Sequence, residues 1–487
     1  MAPPPDHDCA WREHAEKMEQ ELAALKAQLA VLQRQVFGKK SEKMPSMASE
    51  LRRSGTATAD PEAAKKKRKS RAAQRNELPT REIFHPVPEE KRCCPRCGSK
   101  DLRPLGDGKK TTIFEYIPAQ FERQVHVQET LVCRCGEGIV TAEPPARVID
   151  RGSYGPGFIA HLITAKCADS MPLHRLEKAL ARAGIPVARS TMVELFHRAA
   201  GELAPLVRLL IERVAAAEVV HADETTVKMQ APKKTLTTFI WTFLSLLEDD
   251  PLIAYRFSKS RSGQTPQQVL GGTTGALVID AFTGYNAVIT PEGRARVGCW
   301  AHARRYFFEA LATSPEAQTA LDLIRDLYRI EAEATAQGIV RTPRHRTLRD
   351  EQSRKIAADL HHWLTAQESL HLPKSPLGKA IRYTLKQWVP LTRFLDDVQL
   401  PLDNNPAERS LRKVALGRKN FLFVGHEEAG ENIAGLYSLI ATCEANDVNP
   451  VEYLTDVLVR IQTHPQARIE ELLPPQWKRL RASAAAA

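Results

Sequence analysis

The sequence has no run approaching about 20 uninterrupted apolar residues, so no membrane-spanning helix is expected. Its start, Met1 to Gln20, carries charges and no continuous apolar core, so no secretory signal is expected. Both absences point to the cytosol. The nine cysteines read as thiols or metal ligands rather than as a disulfide framework. Acidic residues are in deficit, with 58 Asp+Glu against 69 Lys+Arg and a net charge of +11. Such an excess of positive charge suits a polyanionic partner, and nucleic acid is the usual one. Apolar residues are not lacking: at 43% they can bury real cores, and 487 residues imply several domains.

Three acids carry the most chemical information. Asp223 ends the apolar run Val219-Val220-His221-Ala222-Asp223, and Asp280 ends Ala276-Leu277-Val278-Ile279-Asp280. Glu408 sits in Asp403-Asn404-Asn405-Pro406-Ala407-Glu408-Arg409, which reads as a helix start. Two strand-borne aspartates and a helix-borne glutamate can hold two divalent ions roughly 3.5–4 Å apart for phosphoryl transfer. Mg²⁺, or Mn²⁺ in its place, fits the oxygen donors. Each acid also has a structural reading. The aspartates can cap loops at strand ends, and Asn405 to Glu408 fits a capping box. Their joint placement, and the cations Arg409, Arg412, Lys413, Arg418 and Lys419 beside Glu408, favour catalysis on DNA.

The remaining segments frame these acids. In residues 12–40, Leu22, Leu25, Leu29, Leu32 and Val36 form a heptad seam, expected to be a dimerising coiled coil. Residues 41–90 read as a basic flexible linker. In residues 91–148 the knuckle Cys94-Pro95-Arg96-Cys97-Gly98 and the shorter pair Cys133 and Cys135 predict a ribbon around structural Zn²⁺, with Cys93 as an alternative ligand. Residues 153–205 read as three short helices of helix-turn-helix outline, the third capped by Ser190, with Arg189, His197 and Arg198 as candidates to face DNA; the plainer reading is a helical connector that only packs. Within 213–313, strands at 219–228, 237–247 and 252–257 precede a helix and the strand ending at Asp280. Two short segments, 287–290 and 296–300, then lead into another helix. Three antiparallel strands, a helix, a strand and a helix match the ribonuclease-H-like order. Residues 314–400 are expected to be a helical insertion, 401–447 the rest of the core with its helix at 406–414, and 448–487 a helical tail. The fold class is therefore multidomain α/β. In Cys299-Trp300-Ala301-His302-Ala303-Arg304-Arg305, His302 is placed to contact phosphate or orient water, with Arg304 and Arg305 as phosphate contacts. The plainer reading is a buried cysteine and a surface histidine.

Taken in order, these blocks resemble the transposases of insertion-sequence family 66, members of the broad DDE class. Phe37-Gly38-Lys39-Lys40-Ser41-Glu42-Lys43, the Cys94 knuckle, Pro172-Leu173-His174-Arg175, His221-Ala222-Asp223-Glu224-Thr225 and Asp280-Ala281-Phe282-Thr283-Gly284-Tyr285 carry the resemblance. So do the Cys299 segment, the Asp403 segment and Gly417-Arg418-Lys419-Asn420. The shortened second cysteine pair and His426-Glu427-Glu428-Ala429-Gly430, where a Ser- and Gly-rich loop is expected, depart from the pattern. The resemblance implies Asp223, Asp280 and Glu408 as catalytic Mg²⁺ ligands. It implies binding of terminal inverted repeats and target DNA by a dimer or larger oligomer, with accessory proteins of the same element. A zinc-containing DNA-binding protein and a structure-selective nuclease are the rival functions.

Overall fold

The computed structural model describes residues 121–132, 139–142, 147–149, 152–246 and 250–486. The expected coiled coil, the linker and all four zinc-ligand cysteines, Cys94, Cys97, Cys133 and Cys135, lie outside the described residues. A short antiparallel pair, β1 (Thr130–Val132) and β2 (Ile139–Thr141), comes first.

Three helices follow. Pro156 opens α1 (Pro156–Cys167), where its missing N–H costs nothing. Helix α2 (Leu173–Arg182) stops before Gly184, whose φ of +83° favours glycine. The third, α3 (Arg189–Ala216), is far longer than expected. Pro205 lies inside it and forgoes one backbone bond, yet Leu203, Leu206, Leu210 and Val214 keep a helical apolar stripe buried through that point. Ser190 is not its cap: Ala188 holds that position, without a side-chain bond.

The chain then builds one five-stranded sheet. Strands β3 (Val219–Ala231), β4 (Lys234–Ser245) and β5 (Leu252–Ser258) form an antiparallel meander. After α4 (Gln264–Leu270), β6 (Gly275–Val278) lies parallel to β3, and β7 (Arg294–Val297) parallel to β6. The spatial order is β5-β4-β3-β6-β7. Gly275 makes the β3–β6 approach possible: its φ is +102°, and an added Cβ would lie 2.3 Å from the Glu218 carbonyl oxygen. Of the two short segments before the next helix, the first falls at the end of a 3-10 turn (Thr283–Val288), and the second belongs to β7, which starts earlier.

Helices fill the rest. Helices α5 (Trp300–Ala310), α6 (Ala317–Ala336), α7 (Pro343–Leu348), α8 (Arg354–Glu368), α9 (Pro376–Lys386) and α10 (Trp388–Thr392) occupy the stretch expected to be helical. A single π turn, Arg349–Ser353, joins α7 to α8. Then come α11 (Asn405–Phe421), α12 (Glu427–Ala445), α13 (Pro450–Arg460) and α14 (Pro474–Ala486). Asn449 caps α13 as its sequence predicts, accepting from Val451 N at 3.0 Å.

Two apolar cores result. One joins α1–α3 and α11–α13 to the sheet; the other joins Val219, Ala276, Val278 and Val297 to α5, α6, α8 and α9. Successive strand residues point to opposite faces. Val220, Leu277 and Ile279 enter the first core, while Val219, Ala276 and Val278 enter the second. The face of the second core is the one on which Asp223 falls.

Candidate active site

The strand register brings the aspartates together. His221 and Val278 are Cα partners on the parallel strands β3 and β6. Two residues beyond each stand Asp223 and Asp280, on the same face as their partners. Neighbouring strands run about 4.8 Å apart, so the two carboxylates emerge side by side. Asp223 Oδ1 accepts from Glu224 N at 2.9 Å, and Asp280 Oδ1 accepts from Phe282 N at 2.9 Å. Arg296 holds the Asp280 turn, its Nη1 donating to the Asp280 carbonyl at 2.5 Å and its Nη2 to Asn286 Oδ1 at 2.8 Å.

Helix α11 brings the glutamate. Thr242, the Cα partner of Asp223 on β4, lies 3.0 Å from Ser410 Oγ through its hydroxyl. Tyr255 on β5 donates to the Ser410 carbonyl at 2.9 Å. At the far end of α11, Arg418 Nη1 reaches Thr225 Oγ1 at 3.0 Å and the Thr226 carbonyl at 2.6 Å. Glu408, in the first turn, therefore lies on the side of the sheet that carries Asp223. Its Oε1 is buried without a hydrogen-bond partner, so it makes no capping box. Across from it stand His302 Nδ1 at 3.7 Å, also without a hydrogen bond, and Arg305 Nη2, 3.6 Å from Oε2.

The three acids feel one another electrostatically. Burial pushes the Asp223 carboxyl up to about 7, and the charges of Glu224, Asp280 and Glu408 push the same way, against the Glu224 N–H bond. Glu224 faces away from this site. Its carboxylate, 3% exposed, accepts from Tyr285 at 2.8 Å and Arg261 Nε at 2.7 Å, and burial raises it. Three carboxylates are a hard-oxygen donor set suited to Mg²⁺ or Mn²⁺, and the unpaired Glu408 oxygen is the atom such a cation would satisfy. Among the described residues no group of three or more His, Cys, Asp and Glu side chains stands ready gathered around a metal position. Like charges repel, and Glu408 faces the His302 and Arg305 side chains of α5 instead.

The expected DNA contacts fall into two groups. Arg305, Arg409, Arg412 and Lys419 are exposed. Arg418 is committed to β3, Lys413 pairs with Glu444, and His302 and Arg304 are half-buried. Of the residues expected to face DNA from α3, Arg198 pairs with Glu194 at 2.8 Å. His197 turns inward, its Nδ1 2.9 Å from Asn432 Nδ2. Cys299 is fully buried, and burial pushes its thiol up to about 12, so it is neither nucleophile nor ready ligand.

The sequence reading missed the residues that hold the acids in place. Trp300 N donates to the Leu402 carbonyl at 3.2 Å, and Tyr328 OH donates to Asp403 Oδ2 at 2.9 Å. Asn404 and His221 bond across the site at 3.0 Å. Burial pushes His221 down to about 4, so it is neutral at neutral pH. The one available signal was that His221, like Asp223, falls on the second-core face of β3.

Comparison with known proteins identifies a family. A family model described as Transposase IS66 family matches residues 151–432. The IS66 C-terminal element matches 438–474, and the zinc-finger binding domain of transposase IS66 matches 91–136. A fourth model, Transposase C of IS166 homeodomain, matches 24–83. The uncharacterized protein y4hP of Sinorhizobium fredii (strain NBRC 101917 / NGR234) is 32% identical over 95% of this chain and 90% of its own length. The uncharacterized protein y4qI of the same organism is 30% identical over 94% and 89%. No helix among the described residues is long and apolar enough to cross a membrane.

Proposed function

The chain belongs to the IS66 transposase family, and from that membership we propose that it is a DDE-class DNA transposase that cuts and joins the ends of its element. One observation carries the reading: Asp223 on β3 and Asp280, two residues past the end of β6, follow one parallel register while α11 lays Glu408 over the same face. The strand order β5-β4-β3-β6-β7, antiparallel on one side of β3 and parallel on the other, supports a ribonuclease-H-like core over 213–313 and 401–447. The helices of 314–400 are then its insertion. Terminal inverted repeats and target DNA are the proposed substrates. The coiled coil of 12–40 is the proposed dimer contact, and the helices of 153–205 are the proposed DNA-binding unit.

In this reading Asp223, Asp280 and Glu408 hold the divalent ions. Bound Mg²⁺ would neutralise charge on the attacking and leaving oxygens of the phosphodiester. Asp223, whose carboxyl burial pushes up, would hold such an ion only in its deprotonated form, its proton passing to solvent. Asp280 keeps one oxygen on the Phe282 N–H, which fixes its orientation. Arg409, Arg412 and Lys419 take the phosphates flanking the scissile bond, and Arg305 leaves Glu408 to join them.

The test uses purified protein, Mg²⁺ and both intact and pre-cut DNA bearing the element's terminal repeats, alongside Glu408→Gln. Joining by the wild type and none by the variant is the expected result. Cleavage without joining would make the chain a nuclease, and binding without either would make it a DNA-binding protein. The match over 91–136 also supports structural zinc on Cys94, Cys97, Cys133 and Cys135. Elemental analysis is expected to find stoichiometric zinc in the wild type and none in a Cys94→Ser/Cys97→Ser chain. An equal zinc content in both would remove those ligands from the assignment.

A further inference from the structure

We infer that Asn404 is a positioning residue that sets the carboxylate of Glu408 against that of Asp223; the inference rests on the two-metal reading above. Asp223 and Glu408 come from distant parts of the chain, with all of α5–α10 between them. Two metal ions demand that their carboxylates agree to a fraction of an ångström. Something must register the start of α11 on β3.

Asn404 occupies the N-cap of α11, where an asparagine side chain ordinarily accepts from a backbone N–H of the first turn. Here it makes no such bond. Asp403 Oδ1 takes part of that task, accepting from Asn405 N at 2.9 Å. The Asn404 side chain is freed to cross to the strand. Its Nδ2 donates to the Ala222 carbonyl at 2.7 Å, and its Oδ1 lies 3.0 Å from His221 Nδ1. Its backbone N–H points to Cys299 Sγ at 3.2 Å. The residue is 1% exposed, so each of these bonds forms away from water.

The chemistry leaves one arrangement. A carbonyl only accepts, so the amide NH₂ must face Ala222. The amide oxygen then faces His221, whose Nδ1 carries the proton and donates. Exchanging the two ends of the amide would set oxygen against oxygen at Ala222. Asn404 thus grips the two residues immediately before Asp223, while Glu408 follows it by one helical turn. The bonds of Thr242 and Tyr255 to Ser410 hold α11 over β4 and β5, beyond Glu408. Arg418 repeats the link to β3 at the other end of the helix. Asn404 makes the link on the acid-bearing turn.

The experiment measures Mn²⁺ binding to the full-length, zinc-loaded chain by calorimetry, and the Mn²⁺ dependence of DNA cleavage. Asn404→Leu fills the same volume and can make neither bond. His221→Phe removes only the Oδ1 half of the link. Ser438→Ala breaks a buried bond to Tyr255 N, 2.8 Å long, away from the acids, and serves as a control for lost stability. Asn404→Leu is expected to weaken Mn²⁺ binding about tenfold to a hundredfold, the usual effect of removing a group that orients a ligand. High Mn²⁺ should restore much of the maximal cleavage rate. His221→Phe should shift affinity the same way by less, and Ser438→Ala should leave it unchanged. Wild-type affinity in folded Asn404→Leu and His221→Phe chains would overturn the positioning role. If the wild type binds no more Mn²⁺ than Asp223→Asn, the two-metal reading itself fails, and this inference with it.

Discussion

An Asp223→Asn chain is expected to melt at a higher temperature than the wild type in the absence of Mg²⁺, and to cut and join no DNA. The Asp223 carboxyl has an ordinary value of 3.8 and is pushed by burial, then by Glu224, Asp280 and Glu408, up to about 7. The folded chain therefore holds that proton more tightly than the unfolded chain. Below about pH 4 both states are protonated and the site costs nothing. As pH rises through the window to about 7, the unfolded chain ionises freely and the folded chain does not, so stability is lost. Asparagine cannot ionise and escapes the loss. The gain at pH 8 should be on the order of 1–3 kcal/mol. Glu224 and Asp403 are also raised by burial and act in the same direction, but both chains contain them, so they cancel in the difference.

Mg²⁺ should invert the order. A ligand that binds only the folded state stabilises it by mass action, and the wild type alone keeps the full donor set. Thermal denaturation from pH 4 to 8, with and without Mg²⁺, checks both halves. A metal-free Asp223→Asn chain less stable than the wild type at pH 8 would show that burial does not strain this carboxyl.

The strands that lead to the acids were legible in the sequence because local pattern and chemistry coincide there. An apolar run that ends in aspartate announces a strand; β3 runs through Asp223, while β6 stops at Val278, two residues short of Asp280. The meander was legible for the same reason, from its β-rich runs and short turns. Two kinds of information were not. Helix α3 overruns Pro205 because burial of its apolar stripe outweighs one lost backbone bond, and a local reading counts only the loss. His197 and Arg418 read as cations for DNA, yet the fold uses them on Asn432 and on Thr225 and Thr226. The bonds of Asn404 to β3 and of Tyr328 to Asp403 join segments far apart in sequence. No periodicity encodes such pairs. The Asp403-Asn404-Asn405 run displays its polar residues, but only the fold says which of them caps, which clamps and which faces solvent.

The largest stability loss is expected far from the acids, in Arg349→Met. Arg349 sits on the π turn between α7 and α8 and is 1% exposed. Its Nε and Nη2 donate to the two Glu331 carboxylate oxygens, each at 2.8 Å. Its Nη1 donates to the Phe394 carbonyl at 2.7 Å, and its Nη2 to the Leu400 carbonyl at 3.1 Å. One guanidinium thus ties α6 to the segment that leads directly into Asp403 and α11. Removing it strands Glu331 beside His345 Nε2, 3.4 Å away, whose affinity for a proton burial lowers. Breaking such a pair costs about 3–5 kcal/mol. Glu331→Gln/Arg349→Met should recover part of that loss, since the buried charge goes with its partner, but the carbonyls of Phe394, Asp397 and Leu400 stay without their donor. Chemical denaturation measures the stabilities. Hydrogen exchange locates the effect: amides of 394–404 should exchange faster in Arg349→Met than in the wild type, more than those of β3–β5. Uniform acceleration over the whole sheet would mean that Arg349 supports the fold at large rather than the return of the chain to the site. A loss below about 1 kcal/mol would mean that solvent reaches the pair and screens it.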